Sequence, residues 1–213
     1  MEPASKMTDF NVPDSPTLED SNQPITPPAA PESKRKLLAP FLELLQTLAL
    51  AAILYFAVDA VLARVIVENI SMEPTLYPGN FVLVNRVAYR WGGHTHTGDI
   101  VIFHNPQDLS VDYIKRIIGT PGDSVRAADG KIYVNGTALN EPYISAPPQY
   151  TGEWTVPADS IFVLGDNRNN SEDSHVWGFV PMSDVIGKAL VVYWPIERFK
   201  VVAHTSFASV PAQ

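Results

Sequence analysis

The sequence predicts an all-β domain carried behind one membrane-spanning helix, and three observations predict it. Leu37 to Leu62 is almost wholly apolar, interrupted by Glu43, Gln46 and Asp59. Beyond it, short runs rich in β-branched and aromatic residues recur between Gly, Pro and Asn, the pattern of strands and turns. Two hairpin signals, Asp129-Gly130 and Asn135-Gly136, bracket Lys-Ile-Tyr-Val, and each supplies the positive φ angles that a tight turn needs.

Residues 1–36 are rich in Pro, Ser, Thr, Asn and Asp, with Pro24, Pro27, Pro28 and Pro31 crowded together. Such a segment buries too little apolar surface to offset its ordering entropy, which predicts a disordered tail. The span follows over 37–63, and Leu44 to Leu62 alone approaches the roughly 20 residues that cross a bilayer as a helix. A cleavable leader has a shorter apolar stretch, and a buried core helix alternates its faces. Lys34-Arg35-Lys36 precedes the span and a lone Arg64 follows it. That asymmetry predicts a cytoplasmic N-terminus and an exported domain over 64–213. Within it, strands are expected at Phe81 to Val87, Asp99 to Phe103, Val111 to Ile118, Ile161 to Leu164 and Val185 to Trp194, forming an antiparallel meander.

The chain has 213 residues, 46% of them hydrophobic, which suffices for one compact domain with a core. A net charge of −8 argues against nucleic acid as a partner, since phosphate binding draws on clustered Lys and Arg. With no cysteine, disulfides, thiolate metal sites and a cysteine nucleophile are excluded. His94 and His96 sit in a Gly-rich stretch without a third ligand at recognisable spacing, so a solvated loop is expected there and no metal.

Three stretches could carry chemistry. Ser71-Met72-Glu73-Pro74-Thr75-Leu76 follows the span closely; its serine could be a turn residue, or a nucleophile if a base takes its proton. No histidine lies in a familiar serine-hydrolase context, and the G-x-S-x-G elbow is absent. Tyr113-Ile114-Lys115-Arg116-Ile117-Ile118-Gly119 places a lysine in an apolar strand. Alternation sets Lys115 beside Tyr113 and Ile117, and Arg116 on the opposite face. One cation must then face apolar company, where burial would make lysine a neutral base; the other possibility is an edge-strand lysine that guards against aggregation. Gly165 to His175 is a dense polar loop, either solvated or able to orient a catalytic amine.

Together these stretches resemble the conserved boxes of type I signal peptidases, the Ser/Lys proteases of bacterial membranes and organelles. The resemblance rests on Ser71-Met72-x-Pro74-Thr75-Leu76, Gly98-Asp99-Ile100-Val101-Ile102-Phe103, Tyr113-Ile114-Lys115-Arg116-Ile117-Ile118-Gly119-x-Pro121-Gly122-Asp123 and Gly165-Asp166-Asn167-Arg168-x-x-Ser171-x-Asp173-Ser174. It covers roughly Val67 to Leu190, and the wording after Asn169 looks most like the cyanobacterial and plastid branch. It implies a signal-peptidase-type antiparallel β domain that cuts signal peptides from preproteins after Ala-x-Ala-like sites. It implies Ser71 as nucleophile, Lys115 as neutral base, Ser171 as hydrogen-bond partner of the lysine, and Asp173 as brace of the loop. Where the family has an arginine to pair with Asp173, this chain has His175; Arg168 or a charged His175 could replace it. The oxyanion position falls on Asn69, with Ile70 where glycine is common. Val67, Met72, Leu76, Tyr113 and Ile114 match positions near the substrate pockets. The expected partners are signal peptides and the lipid bilayer, at a plasma or thylakoid membrane, and no cofactor is implied. A self-cleaving repressor shares the Ser/Lys pair but carries a DNA-binding domain where this chain has a Pro-rich tail. A membrane-tethered binding module would need neither reactive residue.

Overall fold

The computed structural model describes residues 32–90 and 93–202. The expected tail therefore lies outside the described residues up to position 31, as do Trp91, Gly92 and residues 203–213. Helix α1 runs Glu32–Val61, so it begins inside the stretch read as tail and ends where Leu62 turns into strand. Its segment Pro40–Val61 has a mean hydropathy of 2.0, and none of its residues is buried. Phe41, Leu44, Leu45, Leu48, Ile53, Leu54 and Phe56 are all more than half exposed. Apolar side chains all round a helix suit a hydrocarbon solvent. The chain divides into two units between Ala49 and Leu50, and the sheets belong to the second.

The strands in chain order are β1 (Leu62–Ile66), β2 (Phe81–Asn85), β3 (Ile100–Asn105), β4 (Asp108–Gly119), β5 (Ser124–Ala128), β6 (Lys131–Val134), β7 (Thr137–Ala138), β8 (Gly152–Thr155), β9 (Ser160–Leu164), β10 (Val180–Pro181), β11 (Val185–Trp194) and β12 (Lys200–Val201). A four-residue helix, α2 (Ser174–Trp177), precedes β10. All pairings are antiparallel, as the meander reading expects. The larger sheet has the order β1-β2-β11-β3-β4-β9-β10, with β12 on β11, and the smaller has the order β7-β6-β5-β8. Both hairpin signals act as expected: Asp129 and Asn135 take φ of 53° and 51°, with Gly130 and Gly136 also positive. They close the β5–β6 and β6–β7 turns.

Alternation along β3 sends Ile100 and Ile102 into one apolar cluster with Val82, Val84, Met72 and Leu76. Val101 and Phe103 enter another with Ile117, Ile161 and Val163. β3 is thus buried on both faces, which is why it reads as a continuous apolar run. A third cluster, of Ile118, Val125, Ile132, Phe162 and Leu164, joins the small sheet to the large one.

β4 is the strand on which the site depends. It pairs with β3 along nearly its whole length, but with β9 only from Arg116 to Gly119. Among the described residues no strand pairs with the other edge of Asp108 to Lys115. The outer edge of β1, the terminal strand of its sheet, is open as well.

Candidate active site

The turn after β1 places Ser71. Residues Ile70–Met72 form a single 3₁₀ turn whose far side is pinned by Met72 and Leu76, both fully buried in the core. The amide of Leu76 donates to the Met72 carbonyl at 2.8 Å. From across the fold, the Asn167 amide donates to the Ser71 carbonyl at 3.0 Å, and Asn167 Nδ2 donates to the Ile70 carbonyl at 3.2 Å. The serine is thereby fixed from both directions, and its residue is only 8% exposed.

Lys115 comes to meet it. Its Nζ donates to Ser71 Oγ at 2.9 Å and to the Ile114 carbonyl at 3.2 Å, and it lies 4.9 Å from the centre of the Tyr113 ring. Desolvation is the largest influence on Lys115 and lowers its pKa from 10.5 to about 8, against the opposing pull of Asp173, Glu172 and Asp166. A lysine that loses its proton near neutral pH and touches a serine hydroxyl is equipped to accept that hydroxyl's proton. The edge-strand alternative fails on burial, because Lys115 is 4% exposed.

The expectation that one of the two cations faces apolar company is exceeded, since Arg116 is also buried, at 2% exposure. Its charge is held in place by a fork onto Asp166 at 2.8 and 2.7 Å and by the Gly98 carbonyl at 2.9 Å. The Tyr143 ring stacks 3.9 Å from its guanidinium. Arg168 makes a second fork, to Glu141 at 2.7 and 2.5 Å. The 165–168 loop is therefore tied to β4 through Asp166 and to the 141–143 segment through Arg168.

Asp173, implied as brace of the loop, meets other partners than an arginine. Its Oδ2 accepts from the Gly165 amide at 2.9 Å, while Oδ1 lies 2.6 Å from His175 Nδ1. The His175 ring stacks flat on Tyr150 at 3.9 Å. Arg168 does not replace the missing arginine, because Glu141 occupies it. Ser171 departs from its implied role: its Oγ is buried with no hydrogen-bond partner, and the second acceptor of Lys115 is the Ile114 carbonyl of its own strand.

A cavity of about 390 Å³ opens beside the pair, walled by residues 65–69 on one side and 110–115 on the other. These are the open edges of β1 and β4. Val67, Tyr113, Ile114 and Asn69 line it together with Ser71 and Lys115. Met72 and Leu76, expected near the pockets, are not on its wall; both are fully buried in the core beneath. His94 and His96 are exposed, outside helix and strand, and among the described residues no three His, Asp or Glu side chains are grouped to hold a metal.

Residues 41–194 match the family described as signal peptidase, peptidase S26. The chain belongs to the signal peptidase family. It is 41% identical over 190 residues to a signal peptidase I of Leptolyngbya laminosa, covering 84% of this chain and 93% of that one. It is 43% identical over 176 residues to a Synechocystis protein named "Probable signal peptidase I-2", covering 78% and 80% of the two chains. Both relatives are cyanobacterial, in line with the wording after Asn169. A crystal structure of a signal peptidase I from Enterococcus faecalis is 32% identical, with a TM-score of 0.42 over 44% of this chain and 95% of that one. Family membership and an apolar helix long enough to cross a bilayer suggest a membrane-anchored peptidase.

Some residues of this signal peptidase site carry no signal that sequence reasoning used. Asn167 lies inside a recognised box, yet its grip on Ser71 is a backbone contact that composition does not announce. Arg116 and Asp166 are opposite charges beside apolar strands, and that coincidence could have suggested the fork. Nothing in the sequence points to Glu141 or Tyr143.

Gly165 yields a direct test of how tightly the loop meets the serine. A Cβ there would stand 2.2 Å from Ser171 Oγ and 2.5 Å from the Ser71 carbonyl oxygen. The second neighbour is backbone and cannot swing aside. Gly165→Ala is expected to displace the Ser71 turn and lower kcat by about 100-fold or more, with KM changed far less. Steady-state cleavage kinetics, beside a thermal unfolding curve of the variant, check this.

Proposed function

We propose that this chain removes signal peptides from exported preproteins, with Ser71 as nucleophile and Lys115 as its general base. One observation carries the proposal: Lys115 Nζ lies 2.9 Å from Ser71 Oγ where burial holds the lysine's pKa near 8. The neutral amine takes the hydroxyl proton as Ser71 attacks the scissile carbonyl, and the resulting ammonium gives that proton to the departing amine. Water then repeats the sequence in reverse and releases the signal peptide from its ester. The developing oxyanion is received by the Ser71 amide and the Asn69 side chain, which borders the same cavity.

The substrate is bound as an added strand. An extended peptide between residues 65–69 and 110–115 would satisfy two open strand edges. Its side chains alternate, so the first and third residues before the cut face the same wall. Val67, Tyr113 and Ile114 make that wall apolar and shallow, which suits Ala-x-Ala. Ser71 follows the end of α1 by ten positions, which keeps the serine near the bilayer surface where cleavage sites emerge. Lys34, Arg35 and Lys36, in α1 ahead of its apolar segment, support a cytoplasmic N-terminus and a peptidase on the exported side, at a plasma or thylakoid membrane.

The test is cleavage of a preprotein with an Ala-x-Ala site, in detergent or lipid, across a range of pH. With Lys115 at about 8, about one enzyme in ten holds the neutral amine at pH 7 and about nine in ten at pH 9. The rate should climb through that window as a single base deprotonates and level off above it. Changing the alanine before the cut to leucine should lower kcat/KM by tenfold or more at every pH. A rate indifferent to pH between 7 and 9 would rule out Lys115 as the base.

A further inference from the structure

A second cavity, of about 250 Å³, meets the first at Ser71. The two share Asn69, Ser71, Tyr113 and Lys115; beyond these, the second is lined by Ile70, Asn170 and Glu172. A peptide that fills the strand groove with the residues before its scissile bond passes Ser71 and continues into this space. The two cavities differ in chemistry. The strand groove carries six aliphatic residues alongside Glu68 and Asp112, whereas the second has only Ile70, with Asn170 and Glu172 beside the shared residues.

Three carboxylates act on Lys115: Asp173, Glu172 and Asp166. Asp173 and Asp166 are fully buried and engaged, the first by His175 and the Gly165 amide, the second by the Arg116 fork. Glu172 is the one of the three on the cavity wall. It is exposed and forms no ion pair among the described residues. It also accepts a hydrogen bond from the Tyr113 hydroxyl, whose pKa is raised by desolvation first and then by Glu172, and a carboxylate so engaged keeps its charge and further acceptor sites. The carboxylate is thus close to the reacting centre and available to a cation from outside.

We propose that this second cavity receives the first two residues after the scissile bond, and that Glu172 makes it select lysine or arginine over aspartate or glutamate there. The selection rests on Ser71 and Lys115 being the cleaving pair. An exposed ion pair supports a modest preference, about two- to fivefold in kcat/KM between a basic and an acidic residue, and added salt should shrink it.

The experiment uses the full-length protein in detergent with three preproteins identical except for Lys, Gln or Glu at the second position after the cut. Ratios of kcat/KM are taken within each enzyme at one pH, so that any change in Lys115 protonation cancels. The parent should prefer Lys over Gln over Glu, Glu172→Gln should cleave all three about equally, and Glu172→Lys should reverse the order. Identical ratios in all three enzymes would overturn the role of Glu172 while leaving the Ser/Lys chemistry intact. A parent that cleaves none of the three overturns the proposed function and this selectivity with it.

Discussion

Replacing Ser71 with alanine is expected to lower cleavage by about 10⁴-fold or more, and Lys115→Ala by a similar amount. The double variant should be no worse than either single one, because the two side chains act as one unit across a 2.9 Å hydrogen bond. Lys115→Arg should fail as well. A guanidinium keeps its proton at any working pH and cannot serve as base. All four proteins should unfold at temperatures close to the parent's, and circular dichroism checks that the loss is chemical. Lys115→Ala retaining cleavage within tenfold of the parent would mean that another group takes the serine proton.

The second large effect is on stability. Arg116→Met removes a guanidinium from a fully buried fork and leaves Asp166, which has no exposed surface, without its counter-charge. Breaking one side of such a pair costs about 3–5 kcal/mol. The exposed pair His104–Asp112, at 2.8 Å, is the internal control, since removing it should cost about 1 kcal/mol or less. Midpoints of guanidinium-induced unfolding in detergent measure both. Adding Asp166→Leu to Arg116→Met should restore part of the lost stability by removing the stranded charge. It should not restore activity, because Asp166 precedes the Asn167 that holds Ser71. Loss below about 1 kcal/mol for Arg116→Met would show that the fork contributes little.

The parts of the fold legible in the sequence are those set by local chemistry. The Asp129-Gly130 and Asn135-Gly136 turns declare themselves because few residues accept positive φ. β3 declares itself because a strand buried on both faces is apolar throughout. The helix start was less legible, since α1 begins at Glu32 among charged and Pro-bearing residues that composition assigns to the tail. In the site, Ser71 and Lys115 were found through resemblance, and the lysine's burial could be argued from its apolar neighbours. Less was visible wherever three-dimensional partners decide a role. The Ile114 carbonyl, not Ser171, is the second acceptor of Lys115, Met72 and Leu76 settled beneath the groove, and Arg168 was taken by Glu141. No local pattern records such competition among partners, as each is resolved only when distant strands are brought together.

The low pKa of Lys115 has a consequence for the life of the chain before it is folded. Ser71 and Lys115 are 44 positions apart, and the lysine is desolvated only once the strands and loops around it have closed. On the unfolded chain that amine returns to the ordinary lysine range, so almost none of it is neutral at physiological pH. If the pair cuts preproteins as proposed, a nascent copy is therefore inert toward them. Its reactivity is switched on by completion of its own sheet, and no inhibitory prosegment is needed to keep it silent in transit.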